Sequence, residues 1–132
     1  MLHLAEKEFG VIDAEAEKAV AELCRVPQVR VHQVWSFYHM FTRQPRGKYH
    51  FRVCHNLSCT LMGAEDLVSI LQKEFGLEGE GTSPDGLFSL ERVECLGACG
   101  GAPAILVNEE LYENLDREKL EKLIRNLKSG AK

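Results

Sequence analysis

Two alternating apolar stretches in this chain each run straight into a pair of cysteines, and this constrains the fold more than any other feature. Tyr49, Phe51 and Val53 alternate with His50 and Arg52, the period-two pattern of a strand, and the strand ends on Cys54 with Cys59 after it. Leu87–Glu94 alternates in the same way, with Phe88, Leu90 and Val93 inward, and delivers the chain to Cys95 and Cys99. Strands that hand over to loops at a sheet edge bring distant segments side by side. Thiols placed there can converge on one centre.

The first pair reads C-H-N-L-S-C and the second C-L-G-A-C, with 35 residues between the clusters. Four converging thiolates suit an iron–sulfur cluster or a zinc ion. Zinc favours tighter C-x₂-C knuckles, and a redox dithiol wants C-x-x-C ahead of a helix. Neither pair has that spacing, nor do the pairs follow the plant-ferredoxin C-x₄-C-x₂-C pattern. Gly97, Ala98, Gly100 and Gly101 keep side chains small around the second pair, so backbone N–H groups can approach sulfur. His55, Asn56 and Ser58 supply polar groups within the first loop.

A chain of 132 residues, 45% hydrophobic and 27% charged, buries a core without disulfide staples. Its net charge of -4 and scattered basic residues lack the footprint of a nucleic-acid binder. No apolar run approaches the ~20 residues of a membrane span, and no signal-peptide pattern is evident. The chain therefore reads as cytosolic, where paired thiols bind metal more often than they form disulfides. Neither G-x-G-x-x-G nor a Walker sequence is present, so no nucleotide site is expected.

The first 46 residues read as a helical region, distinct from an α/β unit over 47–132. Met1–Leu4 is already helix-like, as though a leading helix were shortened. Asp13 is placed to cap a helix with Ala16, Ala19, Val20 and Leu23 on one face. Cys24, at its end, reads as a small buried hydrophobe. Pro27 suits the first turn of a further helix carrying Val34, Phe37, Tyr38 and Phe41 beside Trp35, although the Val29/Val31 alternation also fits a strand. Those aromatics are candidates for a partner-binding stripe or for helix core. Gln44–Gly47 is the loop at the boundary. Beyond it comes a helix near 63–75 with Leu67, Val68, Leu71 and Phe75 inward, stopped by Gly76. A turn region at 79–86, a strand at 104–107, a brief strand at Leu111 and Tyr112, and a helix capped by Asp116 with Leu120, Leu123, Ile124 and Leu127 complete the unit. The β-α-β-β-α order gives an α/β sandwich with helices on the sheet faces.

Val53, Cys54 and Cys59, then Ser83-Pro84-Asp85-Gly86, then Glu94-Cys95-Leu96-Gly97-Ala98-Cys99 and Ala102-Pro103, resemble the thioredoxin-like [2Fe–2S] subunit of NADH:quinone oxidoreductase (respiratory complex I, NuoE-type). The same module recurs in NAD-linked hydrogenases and formate dehydrogenases, and the resemblance covers nearly the whole chain. It implies a thioredoxin-like [2Fe–2S] domain behind an N-terminal helical region, with Cys54, Cys59, Cys95 and Cys99 as the cluster ligands. It also implies a cis peptide bond at Ala102–Pro103. Family members pair with a larger flavoprotein subunit (NuoF-like) that binds FMN and NADH, to which the helical region contributes contacts, and with other iron–sulfur subunits. The cluster then takes one electron at a time, and no hydride chemistry or catalytic residue belongs to this chain. Localisation would be cytoplasmic, at most peripheral to the membrane through the complex. The alternatives are a free-standing [2Fe–2S] ferredoxin and a zinc-stabilised interaction module. The host could be complex I, a hydrogenase, a bifurcating enzyme or a formate dehydrogenase.

Overall fold

The computed structural model describes residues 1–38, 40–41 and 44–130. The chain divides into two compact units, Met1–Pro45 and Arg46–Lys132, with the cut inside the Gln44–Gly47 loop.

The first unit is three helices, α1 (Leu2–Phe9), α2 (Ala14–Cys24) and α3 (Gln28–Phe37). Asp13 caps α2 as expected, its carboxylate accepting the Glu15 and Ala16 N–H groups at 3.1 and 2.9 Å. The buried face of α2 is Ala16, Glu17, Val20 and Ala21. That face is turned away from the expected one, and Leu23 is 71% exposed. At about 100° per residue, a face centred between Val20 and Glu17 leaves position 23 about 90° and position 19 about 130° from its centre. The buried Glu17 carboxylate meets His32 Nδ1 at 2.9 Å. Cys24 is exposed rather than buried. It is the last residue of α2, where the chain turns off through Arg25 at φ 54°. Pro27 stands just ahead of α3 rather than in its first turn, and Val29 and Val31 are helical, with only Val31 buried. Phe41 belongs to the core with Ile12 and Ala16, whereas Phe37 and Tyr38 are exposed.

The second unit contains β1 (Tyr49–Cys54), α4 (Leu57–Leu61), α5 (Ala64–Phe75), β2 (Gly81–Thr82), β3 (Phe88–Val93), a 3₁₀ turn (Cys99–Gly101), β4 (Ile105–Val107), β5 (Glu110–Tyr112) and α6 (Arg117–Lys128). The sheet order is β2-β3-β1-β4-β5. β1 and β3 are parallel, with Tyr49 opposite Phe88 and Cys54 opposite Val93, and the other pairings are antiparallel. A parallel pair needs a long crossover, which α4 and α5 supply. α5 is closed by Gly76 in the left-handed conformation and α6 is capped by Asp116, whose carboxylate accepts the Lys119 N–H.

Phe51, Val53, Phe88, Leu90, Ile105 and Val107 form one face of the sheet, and α5 and α6 bury it through Leu67, Leu71, Phe75, Leu120 and Ile124. Phe75 stacks on Phe88 with centroids 4.4 Å apart and meets Phe51 edge-on at 5.1 Å. Both helices thus serve one face, not both. The opposite face carries His50, Arg52, Ser89 and Glu91 in its central strands, with Leu106 and Leu111 toward the β5 edge. His50 and Ser89 are nonetheless buried and bonded to each other: Nδ1 meets Ser89 Oγ at 2.7 Å, and Nε2 meets Glu91 at 2.9 Å. Gly47 donates its N–H to the same serine oxygen at 3.1 Å. A Cβ on Gly47 would fall 2.5 Å from the backbone carbonyl carbon of Phe88, so the close entry of β1 beside β3 requires glycine. Among the described residues no helix is long and apolar enough to cross a membrane.

Candidate metal centre

Parallel pairing makes β1 and β3 finish at the same end of the sheet. The His55 N–H donates to the Val93 carbonyl at 3.0 Å, extending the pairing past Cys54, and Cys95 follows two residues after Val93. β4 runs the other way, with Ile105 opposite Val53, so the Cys99–Pro103 segment that feeds it starts from this end. The Cys54 N–H donates to Ala104 at 3.3 Å, and the Ala102–Pro103 bond is cis, as the resemblance implied. Topology alone thus brings the segments carrying Cys54, Cys95 and Cys99 to one edge.

Cys59 reaches that edge by a device the sequence did not disclose. Asn56 caps the five-residue helix α4, accepting the Leu57 N–H at 2.8 Å, and Thr60 Oγ1 donates to the His55 carbonyl at 2.9 Å. Gly63, at φ 91°, then turns the chain into α5. Cys59 points inward and is 2% exposed, like Cys54, whereas Cys95 and Cys99 are exposed. The Cys54 thiol donates to the Glu94 carbonyl at 3.3 Å. Gly97, at φ 74°, aims its N–H at the Cys95 sulfur at 3.4 Å.

Burial pushes the Cys59 thiol up. Hydrogen bonding from the Ala104 backbone pulls the other way, and the neighbouring Cys54 and Cys99 add to the rise. Cys54 and Cys99 therefore each lie within electrostatic reach of Cys59. All five cysteines are free thiols. Among the described residues, no three His, Cys, Asp or Glu side chains close on a point as ligands of a single metal ion. The donor set is nonetheless all sulfur, contributed by two chain segments, with backbone N–H groups directed at two of the sulfurs. This chemistry fits a [2Fe–2S] cluster, whose four cysteines are divided between two irons.

The glycines of the second loop differ in purpose. A Cβ on Gly101 would collide with the Glu113 side chain, and Gly101 is clamped by N–H donation to Ala98 at 3.0 Å and by the Asn114 N–H at 2.7 Å. A Cβ on Gly100 would meet nothing within 4 Å. His55 is half-buried with Nε2 3.7 Å from Glu94, a loop residue beside the thiols. Ser83-Pro84-Asp85-Gly86 is the turn from β2 into β3: Asp85 accepts the Leu87 N–H at 2.9 Å and Ser83 Oγ accepts the Phe88 N–H at 3.0 Å. Ala104 and Glu113 were missed by sequence reasoning; only the glycine at 101 hinted at a tight neighbour.

The model of the thioredoxin-like [2Fe–2S] ferredoxin family matches residues 1–128. An NADH-quinone oxidoreductase subunit from Rickettsia typhi is 38% identical over 94% of this chain and 74% of its own length. A second, from Thermus thermophilus, is 41% identical over 100% of this chain and 74% of its own. Among solved structures, an NAD⁺-reducing [NiFe]-hydrogenase in the air-oxidized state superposes with a TM-score of 0.83 at 22% identity. That match covers 98% of this chain and 23% of the hydrogenase chain. A thioredoxin-like [2Fe–2S] ferredoxin from Aquifex aeolicus gives a TM-score of 0.54 at 18% identity, over 65% of this chain and 86% of the ferredoxin. At these identities the structures speak for the fold.

Proposed function

Because this chain belongs to the thioredoxin-like [2Fe–2S] ferredoxin family, we propose that it is the [2Fe–2S] electron-transfer subunit of an NADH-linked oxidoreductase complex. The observation that carries the reading is the parallel β1–β3 pair, which sets Cys54 opposite Val93, two residues before Cys95. Cys54, Cys59, Cys95 and Cys99 hold the cluster as thiolates. When bound, the cluster supplies a one-electron redox centre.

The chain's own part is to bind, position and shield. β1 and β3 fix where Cys54 and Cys95 stand, and α4 carries Cys59 inward, where it is buried like Cys54 while Cys95 and Cys99 stay exposed. The Ala104 backbone favours negative charge on the Cys59 sulfur and the Gly97 N–H points at the Cys95 sulfur, the kind of hydrogen bonding that tunes a cluster's potential. Beyond the cysteines no residue is assigned to the chemistry. The partner is the FMN- and NADH-binding subunit, with the 1–46 helical region contributing contacts, and hydride transfer belongs to that partner.

Anaerobic purification of the tagged chain from its native cells tests this. The expected result is two irons per chain, a reduced-state EPR signal, and a stoichiometric FMN-containing partner. Cys95→Ser should lose or shift the signal, and an unchanged signal removes Cys95 from the ligand set. A colourless zinc protein, or an iron protein with no flavoprotein partner, refutes the assignment.

A further inference from the structure

The turn that carries Cys99 lacks a side chain at its end and receives a carboxylate there instead. Cys99–Gly101 is the 3₁₀ turn, and Gly101 is its buried residue. A Cβ on Gly101 would lie 2.8 Å from the Glu113 Cβ, so the Glu113 side chain fills the space that a larger residue at 101 would use. Backbone bonds fix this approach. The Asn114 N–H donates to the Gly101 carbonyl at 2.7 Å and the Leu115 N–H to the Pro103 carbonyl at 3.4 Å, tying the segment after β5 along the turn. Leu115 is buried in the core and Asn114 stands at φ 50°. The carboxylate itself is uncompensated: among the described residues Glu113 has no hydrogen-bond or ion-pair partner. Lys119, the cation of this segment, is turned elsewhere, its Nζ donating to the Asn114 carbonyl at 2.8 Å and lying 3.3 Å from Asp116 Oδ2. Packing against a glycine requires no charge, and a glutamine would fill the same volume.

We propose that Glu113 is a fixed negative charge that lowers the reduction potential of the metal centre, admitted beside the Cys99 turn by the glycine at 101. The inference rests on the functional reading above, in which Cys99 is a cluster ligand. An electron added to a centre of four thiolates increases its negative charge, and a carboxylate held nearby opposes that addition by Coulomb repulsion. Cluster potentials respond to net charge as well as to hydrogen bonds at sulfur. Glu113 thus acts through space from outside the ligand set, and the β5–α6 connection is what holds it in place.

The test compares the full chain, purified anaerobically with its cluster, as wild type, Glu113→Gln and Glu78→Gln. The oxidised-to-reduced ratio is read by EPR across a series of applied potentials, alongside iron content and the urea midpoint. Glu78 lies beyond the far end of α5, whose 12 residues span about 18 Å from the end that follows Cys59, so its variant removes the same charge at a distance. Glu113→Gln should favour the reduced form by about threefold or more at a fixed potential, which is about 30 mV at 59 mV per tenfold for one electron. Its iron content and urea midpoint should match wild type, which a purely structural role for Glu113 would not allow together with a moved potential. Glu78→Gln should superpose on wild type. A Glu113→Gln potential that is unchanged or lowered, a rise matched by Glu78→Gln, or a shift seen only with loss of iron overturns the role of Glu113 while leaving the functional reading intact. A wild-type chain with no reducible [2Fe–2S] cluster overturns both.

Discussion

Replacing Ser89 with alanine removes one atom that serves two buried groups. Ser89 Oγ accepts the Gly47 N–H at 3.1 Å and contacts His50 Nδ1 at 2.7 Å, with all three residues buried. The serine hydroxyl has a single proton, and His50 Nδ1 is the acceptor in reach. That assignment puts the imidazole proton on Nε2, donated to Glu91 at 2.9 Å. Alanine leaves the Gly47 N–H and His50 Nδ1 without their partner, at about 1–3 kcal/mol for each orphaned group. Relaxation at the strand entry recovers part of this, so the expected loss is about 2–4 kcal/mol, a large share of a typical domain's 5–15 kcal/mol. For a unit the size of Arg46–Lys132, the melting temperature should fall on the order of 10–20 °C. The lesion is remote from the thiols, since His50 precedes Cys54 by four residues, about 13 Å along an extended strand. Urea unfolding should therefore register the loss while the EPR spectrum of the loaded protein stays as in wild type. ¹⁵N chemical shifts of His50 should report the Nε2–H tautomer. A Ser89→Ala stability within about 0.5 kcal/mol of wild type refutes the reasoning, as does the Nδ1–H tautomer.

The Glu91 carboxyl is held below the usual glutamate range, chiefly by its hydrogen bond to His50 and also by the charges of Arg46 and Arg52, against the opposing effect of burial. A depressed folded-state pKa stabilises above the ordinary glutamate value, about 4.3, and the contribution is lost as pH falls through the folded value. Urea midpoints should therefore drop on acidification below about pH 4.3, and Glu91→Gln should flatten that limb; an identical slope in the variant counts against the pairing. Phe75→Ala deletes the ring between Phe88 and Phe51 and should cost about 3–5 kcal/mol in equilibrium unfolding. Asp13→Ala removes the acceptor for two N–H groups at the start of α2 and should cost about 1 kcal/mol, with no change in the iron content.

Where local chemistry decides the outcome, the sequence was informative. The alternation through Phe51, Val53, Phe88 and Leu90 located β1 and β3, and the spacing of Leu67, Val68, Leu71 and Phe75 located α5. The caps at Asp13 and Asp116 and the stop at Gly76 lie where side-chain oxygens and a left-handed glycine demand. What escaped was decided by neighbours. α4 is five residues long, too short for any periodicity to emerge. β2 is a two-residue strand within an expected turn region. The buried face of α2 takes in Glu17, whose carboxylate meets His32, in place of Ala19 and Leu23. His50 and Ser89 looked like the solvent side of an alternating pattern, yet they satisfy one another beneath the surface. The four cysteines were legible as a set from the start. That two would be buried and two exposed depended on α4 and on a loop trimmed to fit Glu113.

The parallel pairing of β1 and β3 also has a thermodynamic side. Strands that point the same way can be joined only by a long excursion, here the 33 residues between Cys54 and Phe88. A cluster bridging the two cysteine loops closes that excursion as a cross-link does. A covalent link across a loop of this length removes roughly 4 kcal/mol of chain entropy from the unfolded state. Occupancy of the site and integrity of the sheet are then two readings of one equilibrium. Chelation of the metal should lower the unfolding midpoint of the whole Arg46–Lys132 unit, and loosening the sheet should release iron. The electron carrier is in this sense also a topological fastener, tying shut the longest open loop that the fold leaves between its ligands.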